Sequence, residues 1–212
     1  MARKALIVWG GWDGHTPKES ADVFAPLLRE KGFDVEISNT LDSYTDKALM
    51  ESLSLIVPIW TMGQIKPEQE QGLSAAVANG VGLAGFHGGM CDSFRMNTGY
   101  QWMTGGQWVA HPGNLYPRYT VKLTDKSHEI TRGLKDFDLT NTERYYLHVD
   151  PANNVLGTIT FEESGVVMPY IWTKTWGKGN VFYAAWGHTY KDFDVPEARD
   201  IVLRGMLWAA KK

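Results

Sequence analysis

Three short, almost wholly apolar runs, Ala5–Trp9, Leu53–Ile59 and Val81–Phe86, alternate with segments of helical periodicity. That alternation constrains the fold more than any other feature. A strand apolar on both faces must be covered on both, as in a parallel sheet with helices above and below it. Thr16-Pro17-Lys18-Glu19 reads as a helix start, with Thr16 as N-cap, Pro17 in the first turn and Glu19 closing a capping box. Val23, Phe24, Leu27 and Leu28 follow at helical spacing, and Gly32 stops the helix. Phe33–Ile37 reads as a strand, Asp46–Glu51 as a short helix, and Pro67–Asn79 as a helix opened by proline and closed at Gly80. The order βαβαβαβ over residues 1–95 predicts a doubly wound α/β core.

The second half changes character. Tyr116–Leu123, Phe137–Leu147, Val155–Thr160, Val167–Thr173 and Asn180–Ala185 read as strands joined by short polar turns. Gly177-Lys178-Gly179-Asn180 is a turn of the kind that joins antiparallel strands. Pro196–Ala210 reads as a closing helix. With no repeat or linker in sight, the expectation is one domain over residues 1–212, its parallel core carrying a mixed or antiparallel extension.

Composition narrows the function. The net charge of −3 and the scatter of single basic residues exclude the polycationic surface of a nucleic-acid or membrane-surface binder. A single cysteine, Cys91, excludes an intramolecular disulfide framework and suits a reducing compartment. The five apolar residues after Lys4 are too few for a signal or membrane helix, so the expected location is the cytoplasm. Nine tryptophans, many beside Gly, Pro or His, either fill the core or form faces on which a sugar can stack.

The segment with most chemical content is Gly85-Phe86-His87-Gly88-Gly89, between a buried strand and a helix. This is the setting of a nucleophile elbow, where glycines admit a sharp turn and the central residue stands over the carboxyl edge of the sheet. Ligands of open α/β sheets bind at that edge. Backbone N–H groups at Gly88–Gly89 would face an anion or oxyanion there. No P-loop, no dinucleotide fingerprint and no Gly-x-Ser-x-Gly is present.

The elbow resembles the Gly-x-Cys-x-Gly of class I glutamine amidotransferases, with His87 in the place of the nucleophile. Cys91 lies out of register, as a small buried residue would. Followed by Asp92-Ser93-Phe94-Arg95, the elbow is similar to that of the trehalose utilisation (ThuA-like) family. Leu6–His15, Gly105–Gly113, Glu143 with Tyr145-Tyr146 and His148, Gly177–Tyr183 with Gly187-His188, and Met206–Ala209 extend the likeness along the whole chain. The resemblance implies a flavodoxin-like, class I glutamine amidotransferase-like fold without the catalytic cysteine. It also implies a bacterial role in using trehalose or a related disaccharide, downstream of dehydrogenases that make 3-keto sugars. A ketone at C3 acidifies the C2 hydrogen, so elimination, isomerisation or hydrolysis could follow.

Four of the six histidines, His15, His87, His111 and His188, adjoin Gly or Pro: His15 and His87 lie at that edge, His188 reaches it if the Val181–Trp186 strand joins the same sheet, and His111 sits in a Gly-rich loop that reads as a lid. Neutral imidazole and a carboxylate suit proton transfer near neutral pH. His87, Glu143 and His188 are the expected catalytic groups, with Glu143 or His87 as base. Glu143 reads as mid-strand and has a structural alternative, a pair with Arg144 or Arg95. Trp12, His15, Trp60, Asp92, Arg95, Gln107, His111, Tyr145, His148 and Trp186 are the expected sugar-binding residues. No cofactor is required by a motif. A divalent metal ion is an open reading, with His87, His111, His148 and His188 as candidate ligands. The competing reading is a non-catalytic sugar-binding or regulatory module. The Trp-rich segment 100–116 reads as an exposed loop, either a lid or a contact in a homo-oligomer.

Overall fold

The computed structural model describes residues 3–210. Its spine is a nine-stranded sheet in the order β2-β1-β3-β4-β11-β10-β9-β6-β7. β1 (Arg3–Gly11), β2 (Phe33–Ser38), β3 (Leu53–Thr61), β4 (Gly82–Phe86) and β11 (Gly179–Ala184) run parallel. Ala5, Leu6, Ile7 and Val8 in β1 have no exposed surface, because helices cover both faces. α1 (Pro17–Glu30) turns Ala21, Phe24, Ala25 and Leu28 inward on one stripe. α2 (Lys47–Ser52), α3 (Pro67–Ala78) and the closing α6 (Pro196–Ala209) complete the layers. This is the flavodoxin-like α/β architecture expected from the alternation of runs.

β10 (Val166–Trp176) returns antiparallel to β11 through Gly177-Lys178, and β9 (Asn154–Phe161), β6 (Leu115–Leu123) and β7 (Phe137–Glu143) extend the sheet antiparallel. No helix among the described residues is long and apolar enough to cross a membrane.

Three local expectations need correction. Thr16 precedes α1 in a left-handed conformation (φ 47°), so its hydroxyl points away from the helix and makes no capping box. It accepts instead from Tyr190 N at 3.0 Å. Phe137–Leu147 is not one strand: β7 ends at Glu143, and Tyr146–Val149 (β8) pairs with Gly106–Ala110 (β5) in a separate ribbon. Segment 100–116 is therefore mostly regular, holding most of a short helix α5 (Thr98–Thr104), β5 and the start of β6.

Parallel strands end at one edge. There β1 leads to His15, β3 ends in Thr61, β4 leads to His87 and β11 leads to His188.

Candidate active site

His87 opens a five-residue helix, α4 (His87–Cys91), with φ at 45°. A non-glycine residue held there costs about 1–2 kcal/mol and persists only where its surroundings dictate it. They do so here. Its ring stacks on Tyr145 at 3.8 Å, and its carbonyl accepts from the Tyr183 hydroxyl. Its Nδ1 lies 3.1 Å from the Ala185 carbonyl and its Nε2 3.1 Å from Glu143 Oε2. A carbonyl only accepts, so Nδ1 carries the hydrogen and Nε2 turns a lone pair toward Glu143.

Gly88 and Gly89 are glycines because of close approach. A Cβ on Gly88 would lie 2.7 Å from His15 Nδ1 and 2.9 Å from the Tyr145 hydroxyl; one on Gly89 would lie 2.9 Å from Ile59 Cα. We therefore expect Gly88→Ala to push the His15 ring aside. A displacement of about 1 Å costs on the order of 10²-fold in turnover, while overpacking costs only about 1–3 kcal/mol of stability. Steady-state kinetics beside a thermal melt separates the two; wild-type turnover would show that His15 is not needed where it stands.

Glu143 is the hub. Its Oε2 lies 3.1 Å from His87 Nε2, 3.3 Å from His188 Nδ1 and 3.6 Å from His15 Nε2, and its Oε1 lies 3.8 Å from His111 Nε2. The His15 ring is fixed from behind by Thr61 Oγ1, 2.8 Å from Nδ1. Burial opposes the charge on Glu143, but the closely placed imidazoles of His15, His188 and His87 outweigh it and hold the carboxyl well below the usual carboxylate range. Burial pushes His87 the other way from a charged form, down to about 3, against the pull of Glu143. The resting pair is thus an ionised carboxylate and a neutral imidazole. Of the four histidines, His15 and His87 are buried, whereas the His188 and His111 side chains keep 16% and 32% of their surface exposed. The cluster is open to solvent on that side.

The other candidate residues fall into two groups. Trp12 stands half-exposed against His15 at 4.8 Å, and Trp60 covers Gly10 at the end of β3. Asp92 holds Arg95 through two hydrogen bonds (2.6 and 2.9 Å), and the guanidinium lies 4.4 Å over Trp108, whose ring neighbours His111. Gln107 is half-buried on β5 and donates to the Trp108 carbonyl. Trp12 borders the cluster at His15, and the Asp92–Arg95–Trp108 chain borders it at His111. Others do not. Tyr145 is buried behind His87, so it braces that ring and offers no open face. Trp186 has no exposed surface; it packs on Phe137 and donates to Ala198 O, in the core. His148 is an exposed residue of β8 beside Tyr146, outside the cluster. Glu143 pairs with neither arginine: Arg144 bonds Glu163 and Arg95 bonds Asp92. Cys91 is buried, and burial pushes its thiol up. Among these groups, the ligand atoms of His15, His87, His188 and Glu143 lie within 4.8 Å of one another, a set able to hold a metal ion. His148 is outside it, and His15 and Glu143 join it.

Sequence reasoning missed three supports. Thr61 adjoins Trp60 at a strand end and was within reach of the same edge argument. Trp108, in the Gly105–Gly113 segment, supplies the face for Arg95. Asp192 accepts from Thr142 Oγ1 (2.7 Å), Gly187 N and His188 N (both 3.0 Å), and a polar turn gives no sign of this.

An open, mainly parallel sheet with histidine at the strand-turn-helix elbow and a histidine–carboxylate cluster above its carboxyl edge defines an α/β protein of flavodoxin-like fold without a cysteine nucleophile. The chain belongs to the ThuA trehalose utilisation family, whose model matches residues 4–209. A search of curated proteins finds no match. Among solved structures, it is similar to a ThuA-like protein of Bacteroides uniformis (TM-score 0.81, 16% identity, covering 98% of this chain and 91% of the other). A ThuA-like protein of Parabacteroides merdae compares equally (TM-score 0.81, 17% identity, 99% and 90%). A cytoplasmic protein of Salmonella typhimurium aligns at TM-score 0.71 with 14% identity, covering 98% and 100%. At these identities the solved structures speak for the fold.

Proposed function

We propose that the chain is a cytoplasmic enzyme of disaccharide utilisation that enolises a 3-keto disaccharide and releases its second sugar. The family supplies the role in trehalose utilisation. The observation that carries the chemistry is the convergence of four imidazoles on one carboxylate at the ligand-binding edge of the sheet. Simple sugar binding has no use for so many titratable groups.

His87 is not the proton carrier in this reading, because it is enclosed and both of its ring nitrogens are engaged. His111, partly exposed and facing Glu143 Oε1, takes the C2 hydrogen as a proton. The C–H electron pair forms the enolate and then the C1–C2 double bond. The C1–O bond breaks, and the departing oxygen takes the proton that His111 had accepted, so the sugar leaves as a neutral alcohol and the imidazole is restored. Trp12, Trp60 and the Arg95–Trp108 pair border the space for the rings.

The test is 3-keto-trehalose with purified protein in D2O, followed by proton NMR. Loss of the C2–H signal and release of free glucose are expected. Saturable binding with neither exchange nor release would leave a sugar-binding module and overturn the enzymatic reading.

A further inference from the structure

The three imidazole nitrogens stand at near ligand-to-ligand spacing from Glu143, and all four ligand atoms lie within 4.8 Å of one another. Bonds of about 2.0–2.2 Å from a metal to nitrogen or oxygen place adjacent ligand atoms roughly 3–3.5 Å apart. Glu143 Oε2 stands 3.1, 3.3 and 3.6 Å from His87 Nε2, His188 Nδ1 and His15 Nε2. A second observation concerns the hydrogens. His87 spends its Nδ1 hydrogen on the Ala185 carbonyl, so its Nε2 lone pair faces an anionic oxygen. Two electron-rich atoms held that way call for a cation between them. The buried His188 Nδ1 likewise has no hydrogen-bond partner. A third observation is the support behind the ring nitrogens that point away. Metal-bound histidines usually give their other N–H to a carbonyl, carboxylate or hydroxyl, which fixes tautomer and ring plane. His87 has Ala185 O and His15 has Thr61 Oγ1 in those places.

We propose that His15, His87, His188 and Glu143 bind one divalent first-row transition ion through three imidazole nitrogens and one carboxylate oxygen. The donor set selects the class: imidazole suits zinc, cobalt, nickel, copper and iron, whereas magnesium and calcium prefer an all-oxygen shell. Loss of a single ligand lowers the affinity without dismantling the fold, because each residue comes from a different element. Trp12 and His111 flank the more exposed side, where a substrate oxygen has access to the ion. An ion there supplies Lewis acidity for an enolate oxygen. This inference rests on the location of the proposed active site but not on its substrate.

The experiment strips purified full-length protein with a chelator, then adds zinc, cobalt, manganese or magnesium singly. Metal content, thermal melting and the visible spectrum of the cobalt form are the readouts. About one equivalent of zinc or cobalt per chain is expected, with Tm raised by about 5–10 °C at a hundredfold excess over Kd and no response to magnesium. His188→Ala and His15→Ala should each weaken binding by more than about 100-fold, beyond the roughly 10–100-fold that loss of an outer-shell partner costs, and His148→Ala should not. Melting of the metal-free variants within a few degrees of metal-free wild type guards against misfolding, and Glu143→Gln gives a near-isosteric third variant. Less than a tenth of an equivalent bound, or equal affinity in His188→Ala, His15→Ala and Glu143→Gln, would overturn the proposal. Keto-sugar turnover by protein that binds less than a tenth of an equivalent overturns it while leaving the proposed function standing. One bound ion without keto-sugar turnover upholds it and removes the proposed function.

Discussion

Glu143→Gln should reduce 3-keto-disaccharide turnover by about 10²–10⁴-fold, the range expected when a positioned proton-transfer partner is lost. Glutamine has the same shape but no charge. Oε2 serves three histidines and Oε1 serves His111, so one substitution alters every contact in the cluster. Stability should change little. The amide can donate to the lone pair of His87 Nε2, replacing a carboxylate whose burial already opposed its charge. The combination of a near-unchanged melting temperature with collapsed turnover is therefore the expected signature. Glu143→Asp should fall between the two, because a side chain one carbon shorter withdraws from the rings while keeping its charge. Turnover of Glu143→Gln within threefold of wild type would remove the carboxylate from the chemistry.

The parallel core was legible because its signals are local. An apolar run five to seven residues long has few alternatives to a covered strand, and parallel strands bring their carboxyl ends to one edge. That placed His15 and His87 at one edge from sequence spacing alone, whereas His188 joins them because β11 pairs parallel to β4. The elbow was legible for the same reason, since Gly85, Gly88 and Gly89 mark close approaches on either side of one buried turn.

The antiparallel half was less legible, and Thr142–Tyr145 shows why. Strand alternation would bury every second residue, but all four of these are buried. Each meets a different element. Thr142 bonds Asp192, and Glu143 meets the histidines. Arg144 lies between the rings of Tyr116 and Phe161 while bonding Glu163. Tyr145 stacks on His87 and its N–H donates to Tyr170. No pattern in the segment itself announces four separate partners, so it read as one strand through Leu147. The same blindness put Trp186 and His148 in the site: adjacency to His188 or to Glu143 says nothing about which way a side chain turns after a strand ends.

Asp192→Ala is expected to disable the site from outside it. One carboxylate oxygen, Oδ2, accepts from the Thr142 hydroxyl and from the N–H groups of Gly187 and His188. It therefore ties the residue before Glu143 to the backbone of His188. Burial pushes the Asp192 carboxyl above its usual range, and those three hydrogen bonds pull against that rise. Alanine leaves all three donors without an acceptor in a buried place. Losses of this kind cost about 2–4 kcal/mol in total, or a Tm drop of about 5–15 °C for a chain of this size. Turnover should fall by on the order of 10²-fold as His188 and Glu143 lose their common reference point. Asp192→Asn separates position from charge. All three bonds converge on one oxygen, so an amide carbonyl in that place can accept them with no net charge. Asparagine should hence restore most of the melting temperature and bring turnover to within about tenfold of wild type, given that net hydrogen bonds are worth about 1 kcal/mol each. If asparagine proved as damaging as alanine, the charge of Asp192 rather than its placement of the two strand ends would govern the site. If alanine itself turned over normally, the registry of His188 with Glu143 would have to be held by the sheet alone.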